Sequence, residues 1–398
     1  VAQSNALINL LPPRVGPEVD QGIIDNAIAE AHFMRALAYF YLVRLYGPVP
    51  IIENNADHVT DPQLNTNLVE DIYTFIENDL NYAIDFLVEK NRGSSYADNG
   101  HVSKGSAKSI LAKVYLYQKK YDLARQLAKE VIDSGEFKLY GGTALPDKSY
   151  GDLFLAENDN NEESIVAWQW TLGNYNTGNY LNTMFAYSTV INNATYGGVF
   201  APSQDLLNAF EPGDLRRKQT VMLPGDYYPN LPSANGSDFT VPEDINAQNS
   251  GAGIKKYVVG KTGETDSFRG SPNNTYIMRY ADLFLIHAEA ILAGGESTSD
   301  PEALGSYNTI RVRAGLQPVT SFTFDDLLHE RRVEFAFEAD YWFDLGRIPG
   351  AKAVEIVSQQ NRGDQDNVEY AEPKASDFRL PYPSTELILN PKLGEDPV

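Results

Sequence analysis

After Trp170 the chain runs TLGNYNTGNYLNTMFAYSTVINNATYGG (171–198), where Tyr175, Tyr180, Tyr187 and Tyr196 are interleaved with Asn174, Asn176, Asn179, Asn182, Asn192 and Asn193. An aromatic ring offers an apolar face to the C–H face of a sugar, while a side-chain amide both donates to and accepts from hydroxyls. Rings and amides in this pattern predict a shallow, rigid site for neutral glycans, with Trp170 at its entrance. Tyr227 and Tyr228 in GDYYPN offer a second platform. The competing reading is that these aromatics pin a long irregular segment to the rest of the molecule.

Other chemistry is harder to place. Among 54 acidic residues, carboxylate pairs resembling those of a glycosidase arise by chance. Glu162-Glu163 reads as a turn or helix end, and Glu330, Arg331, Arg332, Glu334 and Glu338 have the spacing of structural ion pairs on a helix. His32, His58, His101, His287 and His329 show no HExxH spacing, and no GxSxG, GxxxxGK[ST] or strand-borne GxGxxG motif occurs. The acidic run ENDNNEE (157–163) lacks the spacing of an EF-hand and reads as a solvated loop. Without cysteine there is no thiol nucleophile, Cys-ligated metal or disulfide. No catalytic residue, metal or cofactor is expected; a glycoside hydrolase using a carboxylate pair stays as the enzymatic alternative.

Charge narrows the partners. With 32 basic against 54 acidic residues the formal charge is −22, a field that repels nucleic acid and anionic lipid headgroups. The 42% hydrophobic and 22% charged fractions are those of a folded globular chain. No 18-residue apolar run is present, and a first residue of Val1 without a signal peptide fits a processed or trimmed chain.

The elements that must position the aromatic segment are helical. Ala27, Ala31, Met34, Ala38, Tyr41, Leu42 and Leu45 recur at three/four spacing, ending at Gly47-Pro48. Asn67-Leu-Val-Glu70 reads as a capping box for a second helix with a stripe through Ile72, Phe75, Ile76, Leu80, Ala83 and Leu87. Residues 103–135 then read as a tetratricopeptide-like pair: small residues at Ala112, Ala124 and Ala128 allow close approach, with Tyr115 and Val131 beside them. A second copy spans 279–315, with Ala288, Ala303, Tyr307 and Ile310, and Asp300-Pro301 as cap and first turn. A further helix starts at Thr323-Phe-Asp-Asp326 and runs through LLHERRVEFAFE. The expected fold is mainly α, a tetratricopeptide-like α-α superhelix with minor β in one domain (1–398). Its four helical pairs lie at about 23–90, 103–135, 279–315 and 323–358, with a loop-rich, ligand-binding insertion at 141–275 and an extended C-terminal strap at 359–398. Within the insertion, EESIVAWQW (162–170) predicts a strand with Val166, Trp168 and Trp170 on one face, and SQDLLNAF (203–210) a brief helix. A peptide-binding tetratricopeptide scaffold is a third reading, but it needs an uninterrupted array.

These segments also resemble a known family. AEAHFMRALAYFYLVRLYGPVPII, VSKGSAKSILAKVYLYQKKYDLA, EESIVAWQW, MRYADLFLIHAEAIL, YNTIRVRAGL, LLHERRVEFAFEADYWFDLGR and FRLPYPSTELILNP are similar, in order and over nearly the whole chain, to the signature blocks of SusD/RagB proteins. The resemblance implies four tetratricopeptide-like pairs and a non-catalytic, lipid-anchored protein on the surface of the bacterial outer membrane. It also implies capture of oligosaccharides for a TonB-dependent SusC-like transporter. Family members begin with a lipidated cysteine and a further aromatic-rich stretch, expected upstream of Val1, and often close on Asn-Pro-Gly-Tyr where this chain ends GEDPV. Glycan-contacting positions vary with the sugar, so the resemblance transfers no site residue.

Overall fold

The computed structural model describes residues 1–90, 100–174, 177–187, 198–229, 231, 238–260, 270–363 and 371–398. Its helices are α1 (Ala2–Leu10), α2 (Gln21–Tyr46), α3 (Val69–Phe86), α4 (Lys104–Tyr117), α5 (Tyr121–Ser134), α6 (Leu181–Phe185), α7 (Gln204–Ala209), α8 (Arg216–Thr220), α9 (Tyr280–Leu292), α10 (Pro301–Arg313), α11 (Phe324–Glu334), α12 (Tyr341–Arg347), α13 (Gly350–Ser358) and α14 (Ser384–Leu389). The strands are β1 (Ser164–Trp168), β2 (Val221–Met222), β3 (Tyr227–Tyr228), β4 (Phe239–Thr240), β5 (Gly253–Ile254), β6 (Thr275–Arg279), β7 (Ser297–Thr298) and β8 (Phe322–Thr323). They form antiparallel two-stranded pairs, β1 with β6, β2 with β5, β3 with β4 and β7 with β8. The expected mainly α fold with minor β is what the molecule adopts.

The helices stack in series, α2 on α3, α3 on α4, α4 on α5, α5 on α9 and α9 on α10. Residues 135–279 separate α5 from α9 in sequence, yet the two helices are neighbours, so the helical array is continuous in space. Ala112, Ala124, Ala128, Ala288 and Ala303 are wholly buried and Tyr115 and Tyr307 nearly so, as the repeat spacing predicts. Gly135 ends α5 in the left-handed conformation that a Cβ would disfavour.

Four local expectations are corrected. The buried face of α2 runs through Ala29, Phe33, Ala36, Leu37, Phe40 and Val43, while Met34 is 37% exposed. Apolar residues occupy nearly every turn of that helix on all sides, so periodicity alone does not single out a face. Asn67 does not cap α3: the N-cap is Leu68 without a side-chain bond, and the Asn67 amide oxygen accepts the Ile51 N–H at 2.7 Å. The α11 helix starts on the expected Thr323/Asp326 capping box but stops at Glu334, because Phe337 and Ala339 take positive φ of 64° and 63°. Glu338 therefore lies beyond the helix. Finally, β1 lacks the expected alternation, as described below.

The insertion has its own core, in which Tyr140, Tyr150, Phe154, Phe185, Tyr257 and Tyr276 are buried together. Buried phenols need partners, and here they bond to distant backbone: Tyr150 donates to the Glu334 carbonyl at 2.7 Å and Tyr276 to the Leu153 carbonyl at 2.7 Å. Beneath this core lies an ion network. Glu334, at the end of α11, accepts from Arg313 at 2.5 Å, Arg279 at 2.9 Å and Arg216 at 3.1 Å. Burial alone would raise the Glu334 carboxyl, but these guanidiniums outweigh it and hold it well below the usual carboxylate range. Glu163 joins through Arg279 at 2.5 Å and also accepts the Tyr140 N–H at 2.8 Å. The expected ion pairs within one helix are not formed among the described residues: Glu330 and Glu334 pair with arginines of α8, β6 and α10, Arg331 with Asp282, Asp340 and Asp344, and Arg332 with Asp205 of α7.

The C-terminal segment carries α14 and lies along the first helical pair. The Leu380 N–H donates to the Leu45 carbonyl at 2.7 Å, the Asn390 amide to Leu64 at 2.8 Å and the Val398 N–H to Thr66 at 2.9 Å.

Candidate functional site

The β1–β6 ladder builds one edge of the insertion. Ser164 pairs with Arg279, Val166 with Met278, Ala167 with Tyr276 and Trp168 with Thr275, with register slips on both sides of Val166. A slip of one residue turns the following side chains to the opposite face. Ile165 and Val166 are consequently both buried, whereas Trp168 is 46% exposed. Val166 and Trp168 therefore do not share a face, contrary to the expected alternation. Trp168, which composition and spacing do not single out as a binding residue, is a large exposed ring at the end of the ladder.

Trp170 follows, half-buried and fixed at two points. Its indole N–H donates to Thr275 Oγ1 at 3.0 Å and its backbone N–H to Asn274 Oδ1 at 3.1 Å. Beside Trp170 sits a cluster of amides. Asn160 and Gln169 exchange reciprocal hydrogen bonds of 2.9 Å, and Asn274 donates to Gln169 Oε1 at 3.0 Å. Asp159 accepts the Asn274 N–H at 2.8 Å; its burial pushes the carboxyl up to about 7, with that N–H opposing the rise. These amides orient the edge before any ligand arrives, so little side-chain entropy remains to be lost on binding.

The other expected site residues separate. Tyr180 is half-buried at the start of α6, held there because Asn179 exchanges backbone hydrogen bonds of 2.8 and 3.0 Å with Ser271. At this crossing Gly178 and Gly270 touch so closely that a Cβ on Gly178 would lie 2.6 Å from the Gly270 α-carbon. The Asn179 amide donates to the Asn273 carbonyl at 2.9 Å, and Asn182, wholly buried, accepts the Val259 N–H at 3.1 Å. Those two amides are spent on the fold rather than offered to a ligand. Tyr187 is half-buried against the insertion core. Tyr227 is 47% exposed, and its hydroxyl donates to Asp238. It borders a cleft of about 210 Å³ together with Asp152, Lys218 and Gln219. Tyr228 is a correction: alternation along β3 turns it inward to 4% exposure, and its hydroxyl donates to the Lys218 carbonyl at 2.8 Å. It has no ring face to offer. Tyr175, Asn192 and Tyr196 lie outside the described residues.

What this arrangement can do is stack and hydrogen-bond. Among the described residues its exposed rings are Trp168 and Tyr227, and the Glu163 carboxylate is consumed by Arg279 and Arg313. Among the described residues no group of three or more His, Asp or Glu side chains is placed to hold a metal ion.

Comparison with known proteins agrees in class. A family model described as "SusD family" matches residues 129–397, and one described as "Starch-binding associating with outer membrane" matches residues 1–116. A SusD-like protein of Bacteroides ovatus is 34% identical over 100% of this chain and 79% of its own length. SusD-like protein P2 of Formosa agariphila is 28% identical over 94% of this chain and 74% of its own. Among solved structures, one determined with xylogluco-oligosaccharide superposes with a TM-score of 0.86 at 33% identity, covering 100% of this chain and 85% of that one. A laminarin-binding SusD-like protein superposes with a TM-score of 0.71 at 29% identity, covering 98% and 81%.

Proposed function

The chain belongs to the SusD family, and we propose that it captures oligosaccharides on the edge built by Trp168 and Trp170, with Tyr227 as a second platform, breaking no bond and using no cofactor. The observation that carries this reading is Trp168, an indole 46% exposed at the end of a ladder, followed directly by Gln169, whose amide is fixed by reciprocal bonds to Asn160. A ring fixed at the end of a ladder with its face open to solvent is a platform on which the C–H face of a sugar can stack. Binding of a xylogluco-oligosaccharide and of laminarin by structural neighbours supports a saccharide as the ligand class. Residues 1–398 act as one domain in this reading, since the insertion shares its buried ion network with α10 and α11.

Delivery of the captured glycan to a TonB-dependent SusC-like transporter belongs to the same proposal, with a lipid anchor upstream of Val1 holding the protein at the outer face of the outer membrane. The family description of association with the outer membrane supports that placement.

Native affinity electrophoresis against plant, fungal and host glycans, with reducing ends assayed in parallel, tests the reading. Retardation by one glycan class without release of reducing ends is the expected result. Release of reducing ends would replace binding by hydrolysis.

A further inference from the structure

We propose that a second site, in the cleft between the C-terminal end of α2, α12 and the C-terminal segment, binds a saccharide residue bearing a carboxylate, a uronic acid, through Arg44 and Arg379. The inference rests on the glycan-binding reading above but concerns a separate place. The cleft encloses about 230 Å³, walled by Tyr73, Tyr117, Trp342 and Phe343 with the two arginines. That volume lies below the roughly 300 Å³ at which sites for larger ligands begin. It suits one sugar ring at a chain end or branch rather than a length of polymer.

Charge marks the site. The buried arginines Arg216, Arg279, Arg313, Arg331 and Arg347 each hold at least one carboxylate. Among the described residues Arg44 does not, although acidic residues outnumber basic ones 54 to 32. Its Nε donates to the Phe40 carbonyl at 3.0 Å, and its guanidinium lies 3.9 Å from the Phe40 ring centroid and 4.0 Å from that of Phe343. Among the described residues no partner takes its terminal N–H groups. A helix C-terminus accounts for the Nε contact, but not for the unused fork.

Arg379 also lacks a carboxylate among the described residues, and it is held close to the chain. Gly47 has φ 77°, and a Cβ there would sit 3.1 Å from Arg379 Nη1, so the guanidinium lies close against the backbone at the end of α2. Tyr117 forms part of the apolar wall of the same cleft. Two guanidiniums that, among the described residues, hold no carboxylate thus face one small cleft and offer forked donors to an anionic group. The guanidiniums suit a carboxylate, and Trp342, 39% exposed, the C–H face of the ring. Arg347 also lines the cleft, but Glu289 and Asp344 occupy it. The molecular charge of −22 does not forbid this, because fields of exposed charges fade within about 8 Å at physiological salt.

Calorimetric titration of the full chain with digalacturonate, against the neutral galactose disaccharide, tests the proposal. Digalacturonate is expected to bind, more weakly as salt rises. Arg379→Gln should lower its affinity at least about tenfold, the worth of a charge-assisted hydrogen bond. Arg44→Gln should do the same; Arg379, being exposed, keeps the test readable if the Arg44 variant fails to fold. Equal affinity for the acidic and neutral disaccharides, no heat with digalacturonate at millimolar concentration, or an unchanged Arg379→Gln titration would overturn it. Acetate competing as tightly as digalacturonate would reduce the cleft to an anion site and overturn the sugar assignment. Neutral-glycan binding measured on the same preparation reports separately on the Trp168 edge, so either reading can fail alone.

Discussion

The helical array and the insertion are held together by different physics. In the array, α4 and α5 meet through Ala112, Ala124, Ala128 and Val131, small or apolar residues from neighbouring turns, all of them buried. In the insertion, Glu334 gathers Arg216, Arg279 and Arg313 from three elements, and tyrosine hydroxyls bond to carbonyls more than 100 residues away, as Tyr150 does with Glu334. Apolar contacts tolerate small errors of placement; a buried ion network does not, because each unpartnered charge costs several kcal/mol. A rigid edge for stacking is therefore better built on the second kind of core. The array supplies the ground that the insertion is fastened to.

Several substitutions would break or sharpen that contrast. Glu334→Gln removes the negative charge shared by three arginines and places an NH2 donor against them, and should cost about 3–5 kcal/mol in denaturant unfolding. Hydrogen exchange should then show the insertion losing protection while α4 and α5 keep theirs; uniform loss would mean that the two regions form one cooperative unit. In the array, Leu80→Ala at a wholly buried position should cost about 2–5 kcal/mol, with the insertion retaining its protection.

Asp159 adds a pH signature. Its carboxyl sits at about 7 because of burial, against an ordinary value near 3.8. The folded protein therefore binds that proton more tightly than the unfolded chain does. The associated stability is complete below pH about 4 and lost as pH rises through 7. Asp159→Asn should raise stability at pH 8 by roughly 2 kcal/mol, discounted for partial exposure, and leave it unchanged at pH 3. A difference of the same size at both pH values would refute the assignment.

Trp168→Ala should weaken glycan binding about tenfold, near 1.4 kcal/mol, without shifting the melting temperature. Tyr228→Phe should do the reverse, removing one internal hydrogen bond at a cost of about 1 kcal/mol while affinity holds. If Tyr228→Phe reduced affinity as much as Trp168→Ala, the division between ring platform and core tyrosine would be wrong.

The helical pairs were legible because 3.6-residue periodicity and small residues at fixed offsets are local signals. They failed on α2, where apolar residues surround the helix, and at Asn67, whose side chain takes a tertiary partner in place of a cap. The site was legible only in outline. An aromatic and amide-rich segment announced itself, but which ring faces solvent depends on a register slip beside Val166 and on the inward turn of Tyr228, neither visible in composition.

Residue order alone determined that this chain would be mainly helical, rich in stacking rings, acidic and without thiol chemistry, since propensity, period and charge belong to the chain itself. Tertiary structure alone decided that Trp168 is presented, that Asn179 and Asn182 are buried in the fold, and that Arg44 has no acid beside it among the described residues. Each of those outcomes depends on which distant atoms arrive within 3 or 4 Å, and hydrogen bonds and ion pairs act only at that range.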